Sequence, residues 1–189
     1  DQGLLASGNI TKVIIKLRFA ETIQKACDLF PLSKDIFVIS GCASTDKYFA
    51  SIVRDGSDSL QKKYNLTFIS DLSLDSTLKY VSKIPEHSIV IVPTYLSDKN
   101  GIQFSTPEII GLLSTSCSSP IFPVFDSFIK REGGVGGYIL SFNSLGKETS
   151  RIAKEILNGI PMEEIAFNYA VLYQNIFDWR VLKKWGLHK

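Results

Sequence analysis

The chain has 189 residues, 44% hydrophobic and 21% charged, with a net charge of +2 from 21 Lys and Arg against 19 Asp and Glu. This apolar fraction with both charge signs mixed excludes a disordered chain, and the near-neutral balance argues against a nucleic-acid binder, which carries a basic stripe. The length suffices for one hydrophobic core without disulfides or a structural metal, and no apolar run approaches the ~18 residues of a membrane span.

Residues 9–16, Asn-Ile-Thr-Lys-Val-Ile-Ile-Lys, alternate like an exposed strand, and residues 20–29 have helical spacing. Asp35-Ile36-Phe37-Val38-Ile39-Ser40-Gly41 is a continuous apolar run ending in Ser-Gly, the pattern of a buried parallel strand. Ser44-Thr45-Asp46 signals a helix N-cap, and Tyr48, Phe49, Ile52, Val53 and Leu60 follow at helical spacing. Asn65–Ser70 predicts a second strand, and Asp75-Ser76 a helix carrying Leu78, Tyr80 and Val81. Ser88-Ile89-Val90-Ile91-Val92-Pro93 is the strongest strand signal, with a β-branched core. Ser105-Thr106-Pro107-Glu108 starts a helix with Pro and an acid in its first turn. Pro120–Phe125 predicts a fourth strand whose prolines put it at an edge or a strand end. Gly133-Gly134-Val135-Gly136-Gly137 leads into a strand at Tyr138–Phe142, then a helix through Leu145, Ile152, Ile156 and Leu157 stopped by Asn158-Gly159. Residues 167–173 alternate like a strand, and Phe177–Gly186 reads as a short helix. Strands alternating with helices predict an α/β fold: an open parallel sheet with helices on both faces, a flavodoxin-like layer sandwich. One such unit spans about residues 35–159. Met162 is the single methionine and position 1 is Asp, so the sequence reads as a piece of something longer.

The residues for most chemistries are missing. Three widely spaced cysteines, Cys27, Cys42 and Cys117, and two histidines, His87 and His188, offer no transition-metal site. Cys27 and Cys117 read as small buried hydrophobes on helices. The turn Ser40-Gly41-Cys42-Ala43-Ser44 lacks the glycines of a dinucleotide fingerprint, and no Gly-Lys-Ser/Thr is present to cradle phosphates. No G-x-S-x-G elbow exists either. No cofactor, metal or catalytic set is therefore expected. In an open α/β sheet, however, ligands bind outside the carboxyl ends of the strands. That rule selects Ser40, Gly41 and Cys42, then Ser70 and Asp71, then Thr94 and Tyr95, then Asp126 and Ser127. Hydroxyls, a carboxylate and the Tyr95 ring suit a small polar or zwitterionic solute, and the backbone N–H groups at Ser44-Thr45-Asp46 suit an anionic group on it. Gly136 and Gly137 sit in a loop expected to border the ligand. Asp126 is read as a ligand contact, against the competing role of a helix cap.

Three stretches carry a family resemblance: Asp35–Ala43; Pro120–Ser127 running into Gly133–Tyr138 and Leu145-Gly146-Lys147-Glu148; and Asn168-Tyr169 followed by Phe177-Asp178-Trp179-Arg180 and Trp185-Gly186. Together they resemble the second half of periplasmic-binding-protein-like sensor domains related to ABC transporter substrate-binding proteins, as found on bacterial sensor histidine kinases and diguanylate cyclases. The resemblance implies a two-lobed clamp, with residues 1–34 as hinge strand and lead-in helix, 35–159 as a ligand-binding lobe, and 160–189 as crossover strand and docking helix. It implies an extracytoplasmic domain of a membrane protein, binding an amino acid or another small polar solute against a first lobe not contained in this sequence, and it admits a homodimer. The function so implied is small-molecule sensing for a two-component-type signalling protein, without enzymatic activity in this segment. The alternatives are a solute receptor of an ABC transporter and a small α/β enzyme using Asp126.

Overall fold

The structure, a computed structural model, describes residues 15–129 and 133–187. Residues 9–14 of the first alternating stretch lie outside it, and residues 15–18 have no regular hydrogen-bonded structure. The elements run α1 (Phe19–Leu29), β1 (Asp35–Ile39), α2 (Ser44–Gly56), α3 (Asp58–Gln61), β2 (Asn65–Ile69), α4 (Leu74–Val81), β3 (Ile89–Val92), α5 (Thr106–Ser116), β4 (Ile121–Pro123), β5 (Gly136–Leu140), α6 (Phe142–Leu157), β6 (Tyr173–Phe177) and α7 (Trp179–Lys184).

β2, β1, β3 and β4 lie side by side in that order, all parallel. Their side chains alternate between two separate apolar clusters. Ile36 and Val38 of β1, Ile89 and Ile91 of β3 and Phe122 of β4 pack with Phe19, Ile23 and Ala26 of α1 and Val53 of α2. Ile39, Val90, Val92 and Ile121 pack on the opposite face with Val81 of α4 and Ile109, Ile110 and Leu113 of α5. A sheet covered on both faces needs near-continuous apolar strands, which is why these runs do not alternate with polar residues. Each fully buried Ile or Leu contributes about 1.5–3 kcal/mol of transfer free energy. Cys27 and Cys117 are buried in these clusters.

β4 is only three residues long because prolines bracket it. Pro120 has no N–H to donate and serves the ladder only through its carbonyl, which accepts from Val90 at 3.0 Å. β5 lies alongside β4 through two isolated parallel bridges, Ile121 to Gly134 and Phe125 to Leu140. β6 then pairs antiparallel with β5 from Gly136–Phe177 to Leu140–Tyr173.

The expected strand at 167–173 is displaced towards the C-terminus. Asn168 Oδ1 accepts from Ala170 N–H at 3.1 Å and starts a 3₁₀ turn at Tyr169–Val171. The alternation there came from exposed Tyr169 and Val171, not from a pleat. The strand itself forms at Tyr173–Phe177, where the free edge of β5 supplies partners. Likewise Phe177 ends β6, and Asp178 caps α7 through Arg180 N–H at 2.9 Å. The tail folds back onto the core: Trp185 packs edge-on against Phe30 at 6.0 Å, and Phe30 against Phe122 at 5.8 Å.

An ion-pair node holds the segment after α6. Arg151 donates to both oxygens of Glu148, at 2.6 and 3.0 Å, and to the Ala166 carbonyl at 2.6 Å, while Asn168 N–H donates to Glu148 at 2.8 Å. The Arg151 hydrogen bonds, helped by the Asn168 N–H and opposed by burial, hold the Glu148 carboxyl down at about 2. Its unfolded value is near 4.5, so this stabilisation is fully present above that pH and is lost as pH falls towards 2. Glu148→Gln is expected to lower Tm at pH 7 and to narrow its gap to the wild type between pH 4.5 and 2. A thermal melt series across that range checks it, and a gap that stays constant would contradict the ion-pair assignment.

Candidate ligand-binding site

The carboxyl ends of the parallel strands are laced together by main-chain hydrogen bonds. Ser40 N–H donates to Ile69 O at 3.0 Å, Gly41 N–H to Thr94 O at 3.2 Å and Cys42 N–H to Ser97 O at 2.8 Å. At Gly41 a Cβ would lie 2.3 Å from Asp46 Oδ2 and 2.6 Å from Ser97 O, so only glycine allows this approach. Asp46 is fully buried, with 0% exposure. Its carboxylate accepts from Ala43 N–H at 3.1 Å, from Leu96 N–H at 3.0 and 3.1 Å, and from Ser97 N–H at 3.4 Å. The helix starts one residue earlier than the Ser44 signal, with Ala43 at the N-cap position, and the Asp46 carboxylate brings the protein's own negative charge to this helix end.

A second buried carboxylate, Asp98, braces the next loop. It accepts from Leu74 N–H at 3.1 Å, Asn100 N–H at 2.9 Å and Ile102 N–H at 3.1 Å, joining the β3–α5 loop to the start of α4. Burial pushes this carboxyl upward, but the three N–H donors more than offset it and leave it below the ordinary aspartate range. The loop also folds on itself, with Ser97 bridging Gln103 and Phe104 N–H donating to Leu96 O at 2.9 Å.

The sequence-selected residues divide accordingly. Cys42 is half-buried and Ser127 exposed, so both reach the open face; Cys42's thiol is pushed up by burial and makes a poor nucleophile. Ser70 and Asp71 are exposed at the end of β2, where Lys47 Nζ lies 3.6 Å from Asp71 Oδ1. Ser40 and Gly41 are buried beneath the turn. Thr94 is buried too, and its Oγ1 has no hydrogen-bond partner among the described residues.

Two expectations, those for Tyr95 and for the glycine loop, need correction. Tyr95 turns into the core: it is 1% exposed, its hydroxyl is hydrogen-bonded to Thr77 at 3.2 Å, and its ring packs edge-on against Phe104, so it cannot stack on a ligand. Asp126 does accept from Ser141 Oγ at 2.7 Å and Phe142 N–H at 3.1 Å at the start of α6, the capping role also weighed for it, and it stays half-buried, lining a cavity of about 560 Å³ with Ile129 and Arg180. Gly136 and Gly137 are buried ladder positions of β5, not a loop beside a ligand.

The aromatic surface is supplied by other residues. Phe125, just past β4, meets the rings of Phe49 at 5.4 Å, Phe128 at 5.3 Å and Phe142 at 5.2 Å, and Phe49 meets Tyr48 at 5.5 Å. Tyr48 is 61% exposed and Phe142 46%. The sequence held no local signal for this: Tyr48 and Phe49 are adjacent on a helix, about 100° apart, and one apolar stripe is wide enough to take both. A cavity of about 1140 Å³, lined in part by Arg18, Glu21, Tyr48, Ile52 and Tyr173, adjoins this wall. No group of three or more His, Cys, Asp or Glu among the described residues could hold a metal ion.

No protein-family model and no curated protein matches the sequence. Solved structures do match. The ligand-free, open structure of a substrate-binding protein with adhesive properties from Clostridium difficile aligns with a TM-score of 0.67 at 15% identity, over 89% of this chain and 55% of that one. An ABC domain in complex with L-Trp from Streptococcus pneumonia gives 0.60 at 15% identity, over 89% and 55%. A conserved domain protein from Vibrio cholerae gives 0.59 at 14%, over 94% and 58%. The fold is periplasmic-binding-protein-like. The chain spans a little over half the length of each of these neighbours.

Proposed function

We propose that the strand carboxyl-end face binds a small solute, and that this chain is part of an extracytoplasmic sensor domain of a membrane signalling protein. The observation that carries the binding reading is the braced rim at the strand carboxyl ends: the β1–α2 turn, the β3–α5 loop and the start of α4, joined by main-chain hydrogen bonds to Asp46 and Asp98. Preorganised walls with a few polar groups and an aromatic surface are what a small-solute site requires. The L-Trp held by one structural neighbour supports a solute of amino-acid size. The signalling context is supported by the resemblance of Phe177-Asp178-Trp179-Arg180 and Trp185-Gly186 to the ends of such sensor domains. The finding that another neighbour is a substrate-binding protein favours a second reading, a solute receptor serving a transporter. In both, residues beyond this chain supply a second wall, and binding shifts an open–closed equilibrium.

Titration with L-Trp, followed by amide NMR shifts, tests the binding reading. Shifts are expected at Cys42, Ser97 and Ser127, and the Tyr48→Ala, Phe142→Ala double variant is expected to weaken binding about five- to 150-fold, the worth of two lost ring contacts. Absence of shifts at these amides with L-Trp and with a panel of amino acids and small acids would end this reading.

A further inference from the structure

We propose that Asp46 is the positioning residue of this site, a single buried carboxylate that makes the β1–α2 turn and the β3–α5 loop one mechanical unit. The inference rests on the reading that this face holds the ligand. Every hydrogen bond of the Asp46 carboxylate goes to main-chain N–H groups, and they come from both walls: Ala43 on one, Leu96 and Ser97 on the other, fifty residues along the chain. An ordinary helix cap satisfies donors of its own helix only. Here the donors of the distant loop outnumber the local one. Gly41 is the enabling residue, since any side chain there would occupy the space the carboxylate needs. The return bonds, Gly41 N–H to Thr94 O and Cys42 N–H to Ser97 O, close the circuit. Asp98 extends it to α4 through Leu74 N–H. A buried carboxylate deprived of these partners is costly, so the two loops hold together or open together. Asp46 touches no ligand in this scheme; it sets the spacing between Cys42 and Ser97, which do reach the crevice.

Native-state hydrogen exchange decides it. In the wild type, the amides of Ala43, Leu96 and Ser97 are expected to share one opening free energy and one denaturant dependence, as members of a single cooperative unit do. Protection factors differing more than tenfold among them would overturn the proposal, and this measurement needs no variant. Asp46→Asn keeps the shape but turns one acceptor into a donor facing N–H groups. It is expected to speed exchange at all three amides at least tenfold while Ile139 and Gln174, a hydrogen-bonded pair of the β5–β6 ladder, stay unchanged. Acceleration confined to Ala43 and α2 would reduce Asp46 to a local cap, and uniform acceleration throughout would make it a general stability residue; both overturn the proposal. If the wild type binds L-Trp, Asp46→Asn is expected to lose the shifts at Cys42 and Ser97 together. If the wild type binds nothing, the exchange pattern still judges Asp46, and only the binding reading fails.

Discussion

Phe122→Ala is expected to destabilise the protein by about 3–5 kcal/mol, the range for deleting a buried aromatic ring. Phe122 is fully buried on β4, paired in register with Ile91, and its ring supports Phe30, which supports Trp185. The loss is a large fraction of a typical domain stability of about 5–15 kcal/mol. It also has a local signature. With Phe30 unsupported, Trp185 becomes more exposed, and the tryptophan emission of the folded variant shifts to the red. Urea unfolding followed by fluorescence measures both. A loss under about 1 kcal/mol, well below the cavity range, would contradict the packing of the tail through Phe30.

Gly136→Ala is expected to cost about 3 kcal/mol, the upper end for a residue held in a conformation L side chains rarely adopt. Gly136 has φ of +99°, and a Cβ there would stand 2.1 Å from Ile176 O and 2.7 Å from Phe177 Cα. Both obstacles are backbone, so no rotamer change relieves them and the β5–β6 ladder must part. Gly146→Ala is the matched control: Gly146 lies within α6 with nothing within 4 Å of its would-be Cβ, and alanine there is expected to gain about 0.5–1 kcal/mol. Urea midpoints of the two variants should therefore move in opposite directions. The Gly136→Ala loss should be accompanied by faster amide exchange at Gly137 and Ile176, the neighbouring hydrogen-bonded pair, and an unchanged ladder would contradict the register.

How far the sequence could be read depended on the range of the interactions involved. Ile89–Val92 was legible as a strand because burial on both faces imposes an unbroken β-branched run, which is local information. Ser105 was legible as a cap for the same reason, and its Oγ does accept from Glu108 N–H at 3.4 Å. Tyr95 was not legible, since nothing within a few residues says that Thr77 waits for its hydroxyl. Asp126 had two roles open, and the partners of its capping role, Ser141 and Phe142, lie fifteen and sixteen residues away. The strand-end rule placed Ser40–Cys42 and Thr94 at the carboxyl ends of β1 and β3 but could not say which atoms there remain free.

By itself the sequence determined the alternation of strands and helices, the parallel α/β class and the end of the sheet where a site would lie. These follow from hydrophobic period, caps and turn residues, all of which act over a few neighbours. Tertiary structure alone decided that Asp46 and Asp98 serve main-chain donors of the strand-end loops, that Gly136 is a ladder residue, and that Tyr95 is buried while the rings of Tyr48 and Phe142 are exposed. The reason is physical: a buried polar group must find partners wherever the fold brings them, and for Asp46 that place is fifty residues along the chain.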